Sequence, residues 1–204
     1  ISLFEVEDPT RFGVVKLTND TKIIQFQEKP TLEEAFSNLI NAGTYVLEPE
    51  IFDIMPSGAH SMERDVFTKI APLGEMLGFE FDGYFVDAGT PPSWLESCRT
   101  CFLDNRWDLG EKQGTNWIGV DSNVISANLM DSFISNNCIL EKSTIVNSCI
   151  LNNVIIKGGS SLRNTLVGEN AIIGENCDLE NVIVDYNAIV PDGWKQSDGR
   201  YPNQ

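Results

Sequence analysis

The feature that most limits what this chain can fold into is a spacing. From Ile118 onward, aliphatic residues recur every five or six positions: Ile118, Val124, Leu129, Ile134, Leu140, Val146, Leu151, Ile156, Leu162, Val167, Ile173, Leu179, Val184 and Val190. A second series trails the first by three or four residues. Through the middle and end it reads Cys138, Thr144, Cys149, Val154, Ser160, Thr165, Ala171, Cys177, Val182 and Ala188. Neither the 3.6-residue period of a helix nor the two-residue period of a strand fits this spacing. A six-residue step fits one flat side of a triangular parallel β-helix, with an aliphatic side chain pointing inward and a small one near each corner. Asn, Gly, Asp and Ser fill the remaining positions, as tight corners require. At three rungs per coil the series predicts roughly four to five coils, each burying its aliphatic row against its neighbours. Cys138, Cys149 and Cys177 fall in the small-residue series and read as interior packing groups.

The first 107 residues carry a different pattern, strands and helices in turn. Phe12–Leu17 and Lys22–Glu28 read as a hairpin around Thr18-Asn19-Asp20-Thr21, with Pro30 ending the second strand. Thr31-x-x-Glu34 is a capping-box pattern that predicts a short helix. Thr44–Leu47 is an expected strand, followed by a short helix from Pro49 through Met55. Ser61 is placed to cap a helix running to about Leu73, with Glu63 and Asp65 in its first turn. Phe79–Phe81 and Tyr84–Val86 read as strands, and Thr90 with Pro91-Pro92 opens a long helix through about Phe102. The expected divisions are therefore an α/β layer over 1–107, a linker over 108–116, the β-helix over 117–193 and a tail over 194–204.

Composition excludes several function classes. The chain of 204 residues has 14 Lys and Arg against 30 Asp and Glu, a net charge of −16. Such a surface cannot supply the dense basic stripe that neutralises a phosphate backbone, so nucleic acid is not an expected partner. No apolar run approaches a membrane span and no signal-peptide pattern opens the chain, so a cytoplasmic protein is expected. Five cysteines, an odd number, do not suggest a disulfide-stapled scaffold. Cys98 and Cys101 stand three apart on a predicted helix, but a zinc site needs about four ligands. His60 is the only histidine and reads as a loop residue.

Polar residues gather where strands are expected to end, the place where open α/β sheets put ligands. Asp87, in Phe85-Val86-Asp87-Ala88-Gly89-Thr90, either holds Mg²⁺ on phosphates or caps the turn that follows it. Lys29, in Glu28-Lys29-Pro30, either meets an anionic substrate or is an exposed strand-end lysine. Asn41, in Asn41-Ala42-Gly43, either reads hydroxyl groups or belongs to a simple turn. No Ser/His/Asp set and no Walker-type glycine loop occurs.

Together these motifs resemble the sugar-1-phosphate nucleotidylyltransferases, the NDP-sugar pyrophosphorylases. Val6-Glu7-Asp8-Pro9-Thr10-Arg11-Phe12-Gly13-Val14-Val15 is similar to the family's sugar-binding strand, Gln27-Glu28-Lys29-Pro30 to its E-K-P motif, and Asn41-Ala42-Gly43-Thr44-Tyr45 to its N-A-G-x-Y strand. Gly83-Tyr84-Phe85-Val86-Asp87-Ala88-Gly89-Thr90-Pro91 is similar to its G-Y-x-x-D-x-G-T-P motif. Ser61-Met62-Glu63-Arg64-Asp65-Val66-Phe67 leans toward the mannose-1-phosphate guanylyltransferase branch, and the β-helix resembles that of glucose-1-phosphate adenylyltransferases.

The resemblance implies a fold: a partial nucleotide-diphospho-sugar transferase, with a Rossmann-like α/β layer, followed by a left-handed parallel β-helix of hexapeptide repeats. It also implies roles. Asp87 would be one of two aspartates holding the catalytic Mg²⁺, and Lys29 would pair with the sugar-1-phosphate. Glu28 and Asn41 would bind sugar hydroxyls, the backbone at Gly13 would pack close to the sugar, and Thr90 would contact sugar or phosphate. An NTP is the second substrate, and the reaction is in-line attack of the sugar-1-phosphate oxygen on the nucleotide α-phosphorus, which needs positioning and charge neutralisation rather than a protein nucleophile. The family's glycine-rich nucleotide loop and first metal aspartate precede the segment that begins at Ile1, so the N-terminal half of the catalytic domain is expected from a longer polypeptide or a second chain. Two other functions compete: a non-catalytic regulatory subunit of such an enzyme, and a hexapeptide-repeat acyltransferase. The second expects a histidine base at the coils, and residues 61–204 contain no histidine. The β-helix is expected to mediate homo-oligomer assembly, which would cover its flat faces and open end.

Overall fold

The computed structural model describes residues 1–106 and 109–202. The expected boundary between layer and linker, at 107/108, and the end of the expected tail lie outside the described residues. The chain divides into two compact units, residues 1–85 and 86–204.

The first unit is built on a six-stranded sheet of β1 (Ser2–Glu5), β2 (Gly13–Leu17), β3 (Lys22–Glu28), β4 (Leu39–Asn41), β5 (Met76–Leu77) and β6 (Phe79–Glu80). Its order is β5-β3-β2-β4-β1-β6, antiparallel except for the β1–β6 edge pair. The β2–β3 hairpin forms as the sequence predicts, with a bulge where Lys16 faces Gln25 but Leu17 faces Ile23. The extra residue, Ile24, resets the two-residue alternation, so that Ile23 and Phe26 both reach the core although they stand three apart. One face of the sheet packs with α1 (Ile51–Ile54) and with a helical run that is π over Met62–Phe67, α over α2 (Thr68–Ile70) and 3₁₀ over Ala71–Leu73. Leu3, Val15, Ile23, Phe26, Val66, Phe67 and Ile70 form this core.

Three expected elements of this unit are absent. After Pro30 the capping-box pattern makes a single turn, in which Thr31 N donates to Glu34 Oε2 at 3.1 Å. Residues 31–34 are exposed, so no apolar face exists to carry a helix further. Residues 44–47 form no strand: Gly43 adopts φ +82°, and the left-handed turn takes the chain out of the ladder just after β4. Residues 84–86 form no strand either. Beyond β6 the chain crosses the sheet face opposite Leu3, where Phe85 packs 5.5 Å from both Phe4 and Phe12 and Phe81 packs 5.2 Å from Phe4.

The second unit opens with α3 (Pro91–Leu103) and continues as a three-sided parallel β-helix. The inward rows stack in register. One is Ile118, Ile134, Ile150, Val167 and Val184; the next is Val124, Leu140, Ile156, Ile173 and Val190; the third is Leu129, Ile145, Leu162 and Leu179. Nearly all are fully buried, and each such side chain stabilises the stack by about 1.5–3 kcal/mol relative to exposure. Two predicted rungs are off by one position, since Ile145 and Ile150 point inward in place of Val146 and Leu151. The early coils close in 16 residues (Ile134 to Ile150) and the later ones in 17 (Ile150 to Val167), so two sides of the early coils are one residue shorter than a strict six-residue step.

The same shift moves the small-residue series. Ser143 and Ser148 occupy the interior in place of Thr144 and Cys149. Thr144 is exposed, and Cys149 points outward beneath α3, in a cluster with Leu95, Cys98, Phe102, Trp117, Phe133 and Leu166. Left-handed asparagines turn the corners and bond coil to coil: Asn147 to Asn164 to Asn181 to Asp198 at 2.7, 3.1 and 3.0 Å, and Asn153 to Asn170 to Asn187 at 2.9 and 3.0 Å.

The expected linker contains a hairpin, with Glu111–Gln113 antiparallel to Asn116–Ile118. The expected tail contains the strand Lys195–Tyr201, parallel to Asp178–Val184, which adds a further level to the stack.

Candidate sugar-phosphate site

In the first unit the site is set by the register of the hairpin. Gly13 lies directly opposite Glu28, so the two positions share a sheet face. A Cβ at Gly13 would stand 2.5 Å from Phe26 Cζ and 3.0 Å from Glu28 Oε2. Glycine here therefore makes room for the Phe26 ring and leaves the Glu28 carboxylate over open backbone. Past the bulge, Glu28 shares the core-facing side with Phe26, and this half-buries it.

Asn41 and Tyr45 flank the Gly43 turn. Asn41 Oδ1 accepts from Gly43 N at 3.0 Å, while its Nδ2 donates to Tyr45 Oη at 2.7 Å. Tyr45 Oη in turn donates to Glu63 Oε1 at 3.1 Å, and Ser61 Oγ donates to Glu63 Oε2 at 2.7 Å. The Tyr45 ring is fixed edge-on against Phe67 at 5.0 Å. Ser61 also caps the π segment by accepting from Arg64 N at 3.3 Å. The two carboxyl groups are shifted in opposite directions. Burial raises Glu28 above the usual carboxylate range, and the nearby Glu63 charge raises it further. Burial also works to raise Glu63, but hydrogen bonds from Ser61, from its own backbone and from Tyr45 outweigh it and hold that carboxyl low. Burial raises the Tyr45 phenol and keeps it a donor toward Glu63.

Of the residues predicted for binding, Gly13 and Glu28 stand against each other, and Asn41 joins a hydroxyl and carboxylate chain. Lys29 is exposed on a left-handed backbone (φ +48°) with its N–H donating to Phe12 O at 2.9 Å. Tyr45 and Glu63 are not among the residues that the sequence marks for binding. The signals were present: Tyr45 ends the Asn-Ala-Gly motif, and Glu63 sits two residues after the capping serine, where it reads as an ordinary first-turn acid.

The second unit holds Asp87 and Thr90. Asp87 is exposed, and its Oδ1 accepts from Gly89 N at 3.2 Å, the turn-capping arrangement that the sequence left open. Thr90 is the N-cap of α3 in a reciprocal capping box with Ser93. Among the described residues no group of three or more His, Cys, Asp or Glu side chains converges on a metal position. Mg²⁺ takes hard oxygen donors, often one or two carboxylates with substrate phosphates and water, and Asp87 offers a donor of that kind.

An α/β layer followed by a stacked hexapeptide β-helix is the architecture of a nucleotidyl transferase carrying a hexapeptide-repeat extension. Sequence comparison agrees: the family described as Nucleotidyl transferase matches residues 1–101, and GlmU-like, C-terminal hexapeptide matches residues 118–196. The chain thus pairs a nucleotidyl transferase match with a hexapeptide-repeat match, which together account for most of its length. It is 38% identical over 130 residues to the bifunctional protein GlmU of Methanococcus maripaludis strain S2, covering 61% of this chain and 31% of that protein. It is 36% identical over 98 residues to a mannose-1-phosphate guanyltransferase of Yarrowia lipolytica (48% and 26% of the two chains). It is 39% identical over 90 residues to a UTP–glucose-1-phosphate uridylyltransferase of Synechocystis (43% and 23%). The chain thus spans under a third of the length of these curated relatives. No helix among the described residues is long and apolar enough to cross a membrane.

Proposed function

We propose that this chain supplies the sugar-1-phosphate side of an enzyme that transfers a nucleotidyl group from an NTP to a sugar-1-phosphate, releasing pyrophosphate and an NDP-sugar. The observation that carries this reading is the chain Asn41–Tyr45–Glu63–Ser61 close to Glu28, a line of donors and acceptors suited to vicinal hydroxyl groups. Glu28 and Asn41 bind the sugar, Gly13 lets it approach the strand, and Lys29 neutralises the sugar phosphate. Thr90, the N-cap of α3, would contact the sugar or its phosphate. Asp87 would hold Mg²⁺ together with phosphate oxygens, and the ion supplies charge neutralisation on the α-phosphate. The residues described contribute binding and orientation, which is most of what phosphoryl-type transfer asks of a protein. Mannose 1-phosphate with GTP, or glucose 1-phosphate with a nucleoside triphosphate, is the favoured substrate pair. The reaction also needs a nucleotide-binding loop and a supply of NTP, which a cytoplasmic enzyme has.

The β-helix would join copies of the chain. Ile139, Ile155, Ile172 and Ile189 form an outward apolar row in register on one flat side, with Ile139 39% and Ile189 67% exposed.

The test is pyrophosphate release by the polypeptide carrying the whole catalytic domain. Asp87→Asn should lower turnover at least ~100-fold, and Glu28→Gln should raise the KM for sugar phosphate by about tenfold, one charge-assisted hydrogen bond's worth. Unchanged turnover in Asp87→Asn would sink the catalytic reading, leaving a regulatory chain.

A further inference from the structure

The packing of α3 on the β-helix brings together two thiols that nothing in the nucleotidyl-transfer reading uses. Leu95, Cys98 and Phe102 lie on one face of α3, three and four residues apart, and meet the outward row Trp117, Phe133, Cys149 and Leu166. Phe102 meets Phe133 edge-on at 5.9 Å. Within this seam Cys98 Sγ lies 3.8 Å from Cys149 Sγ. Cys149 is 3% exposed, while Cys98 is half-buried and lines a cleft of about 440 Å³ with Trp94, Trp117 and Phe133.

We propose that Cys98 and Cys149 are a reversible dithiol–disulfide pair that ties α3 to the β-helix under oxidising conditions. The oxidant is a low-molecular-weight disulfide, RSSR. The Cys98 thiolate attacks one sulfur of RSSR, forming a mixed disulfide and releasing the first RS⁻. The Cys149 thiol then gives up its proton to a thiolate in solution, and its sulfur attacks Cys98 Sγ and releases the second RS⁻. The sum is two protein thiols plus RSSR giving one protein disulfide plus two RSH.

Geometry selects this pair over the alternatives. Residues three apart on a helix have Cβ atoms about 5–6 Å apart, against roughly 3.5–4.5 Å in a disulfide, so Cys98 and Cys101 are poorly placed for each other. Cys138 and Cys177 are buried inside the coils, each with its thiol on a backbone carbonyl, Leu151 O at 3.1 Å and Pro191 O at 3.2 Å. The roles within the pair are also unequal. Cys98 borders the cleft while Cys149 is buried, so Cys98 is the attacking and Cys149 the resolving sulfur; their contact lowers the Cys98 thiol, and the same contact with burial raises Cys149, in the same sense.

The experiment treats the whole chain with oxidised glutathione, blocks the remaining thiols in denaturant and maps the peptides by mass. The expected result is loss of two of the five thiols in one intramolecular Cys98–Cys149 link, reversed by dithiothreitol. Cys98→Ser and Cys149→Ser each abolish the link and Cys101→Ser keeps it. Cys98 is half-exposed, so Cys98→Ser tests the pair without disturbing the core. A Cys98–Cys101 link, a cross-link between chains, a stable glutathione adduct on Cys98, or no bond at all would each overturn the proposal.

Discussion

The hydroxyl of Tyr45 bridges an amide and a carboxylate: it accepts from Asn41 at 2.7 Å and donates to Glu63 at 3.1 Å. This bridge and Ser61 stabilise the charged form of Glu63, whereas burial and the Glu63 charge disfavour the charged form of Glu28. The two therefore respond oppositely to pH. Glu63, with its folded value depressed, stabilises the fold above its unfolded value, and this is lost as pH falls through the folded value. Glu28, with its folded value raised, contributes below its unfolded value and loses that contribution as pH rises through the folded one. On acidification Glu28 takes up its proton first. Carboxyl carbon NMR of the chain should show this order, and Glu63→Gln should lower the Glu28 value by removing a neighbouring charge. A Glu63 that titrates first would show that the hydrogen-bonded chain does not hold in solution.

The outward isoleucine row gives an assembly prediction. Ile155→Asp places a charge in the middle of the row, while its neighbour Ile156 keeps its inward place in the stack. If this flat side joins copies, light scattering should show the mass fall to that of single chains with the circular dichroism unchanged. An unchanged mass would move the interface elsewhere.

How legible was the molecule? The β-helix could be read because its rows repeat, and a wrong assignment at one rung is checked by the next. The two slips, at Val146 and Leu151, fell where two apolar residues adjoin (Ile145-Val146 and Ile150-Leu151) and each side is one residue short, so spacing alone could not choose. The slip carried Cys149 from the interior to the seam beneath α3, which is why its meeting with Cys98 was invisible in the sequence. In the α/β unit two of the three failures were strands. Gly43 ends one, and Phe85 leaves the sheet edge for the aromatic cluster on its face. A left-handed turn decides the first and tertiary packing the second, and local alternation registers neither. Glu28, Asn41 and Gly13 were legible through their motifs; Glu63 was hidden because a first-turn acid is ordinary in any helix.

The corner ladder offers a stability test. Asn164 accepts from Asn147 and donates to Asn181 while holding φ +50°. Asn164→Gly keeps the backbone conformation, loses the two side-chain bonds and adds some freedom to the unfolded chain, and Asn164→Ala loses the bonds and strains the backbone by more than that. Each bond contributes about 0.5–1.5 kcal/mol, and a left-handed alanine costs about another 1–2 kcal/mol. Denaturant melts should therefore rank the variants with glycine above alanine. Equal midpoints would mean that the left-handed corner strains alanine no more than glycine loosens the unfolded chain.

Two glycines ten residues apart separate close coil packing from mere flexibility. A Cβ at Gly168 would stand 2.5 Å from Tyr186 N, 2.7 Å from Asp185 C and 2.9 Å from Tyr186 Cα, all backbone of the next coil. Backbone cannot swing aside as a side chain can, so Gly168→Ala must open the spacing between coils. Overpacking of this kind costs about 1–3 kcal/mol. Gly158 has nothing within 4 Å of the same position and no left-handed φ. Gly158→Ala removes freedom from the unfolded chain without a clash and should stabilise by about 0.4–1 kcal/mol. Thermal melts of the two variants should move in opposite directions from the parent. If Gly168→Ala melted with or above the parent, the coils would have to sit further apart than their 2.8 Å bond from Gly168 N to Val184 O implies.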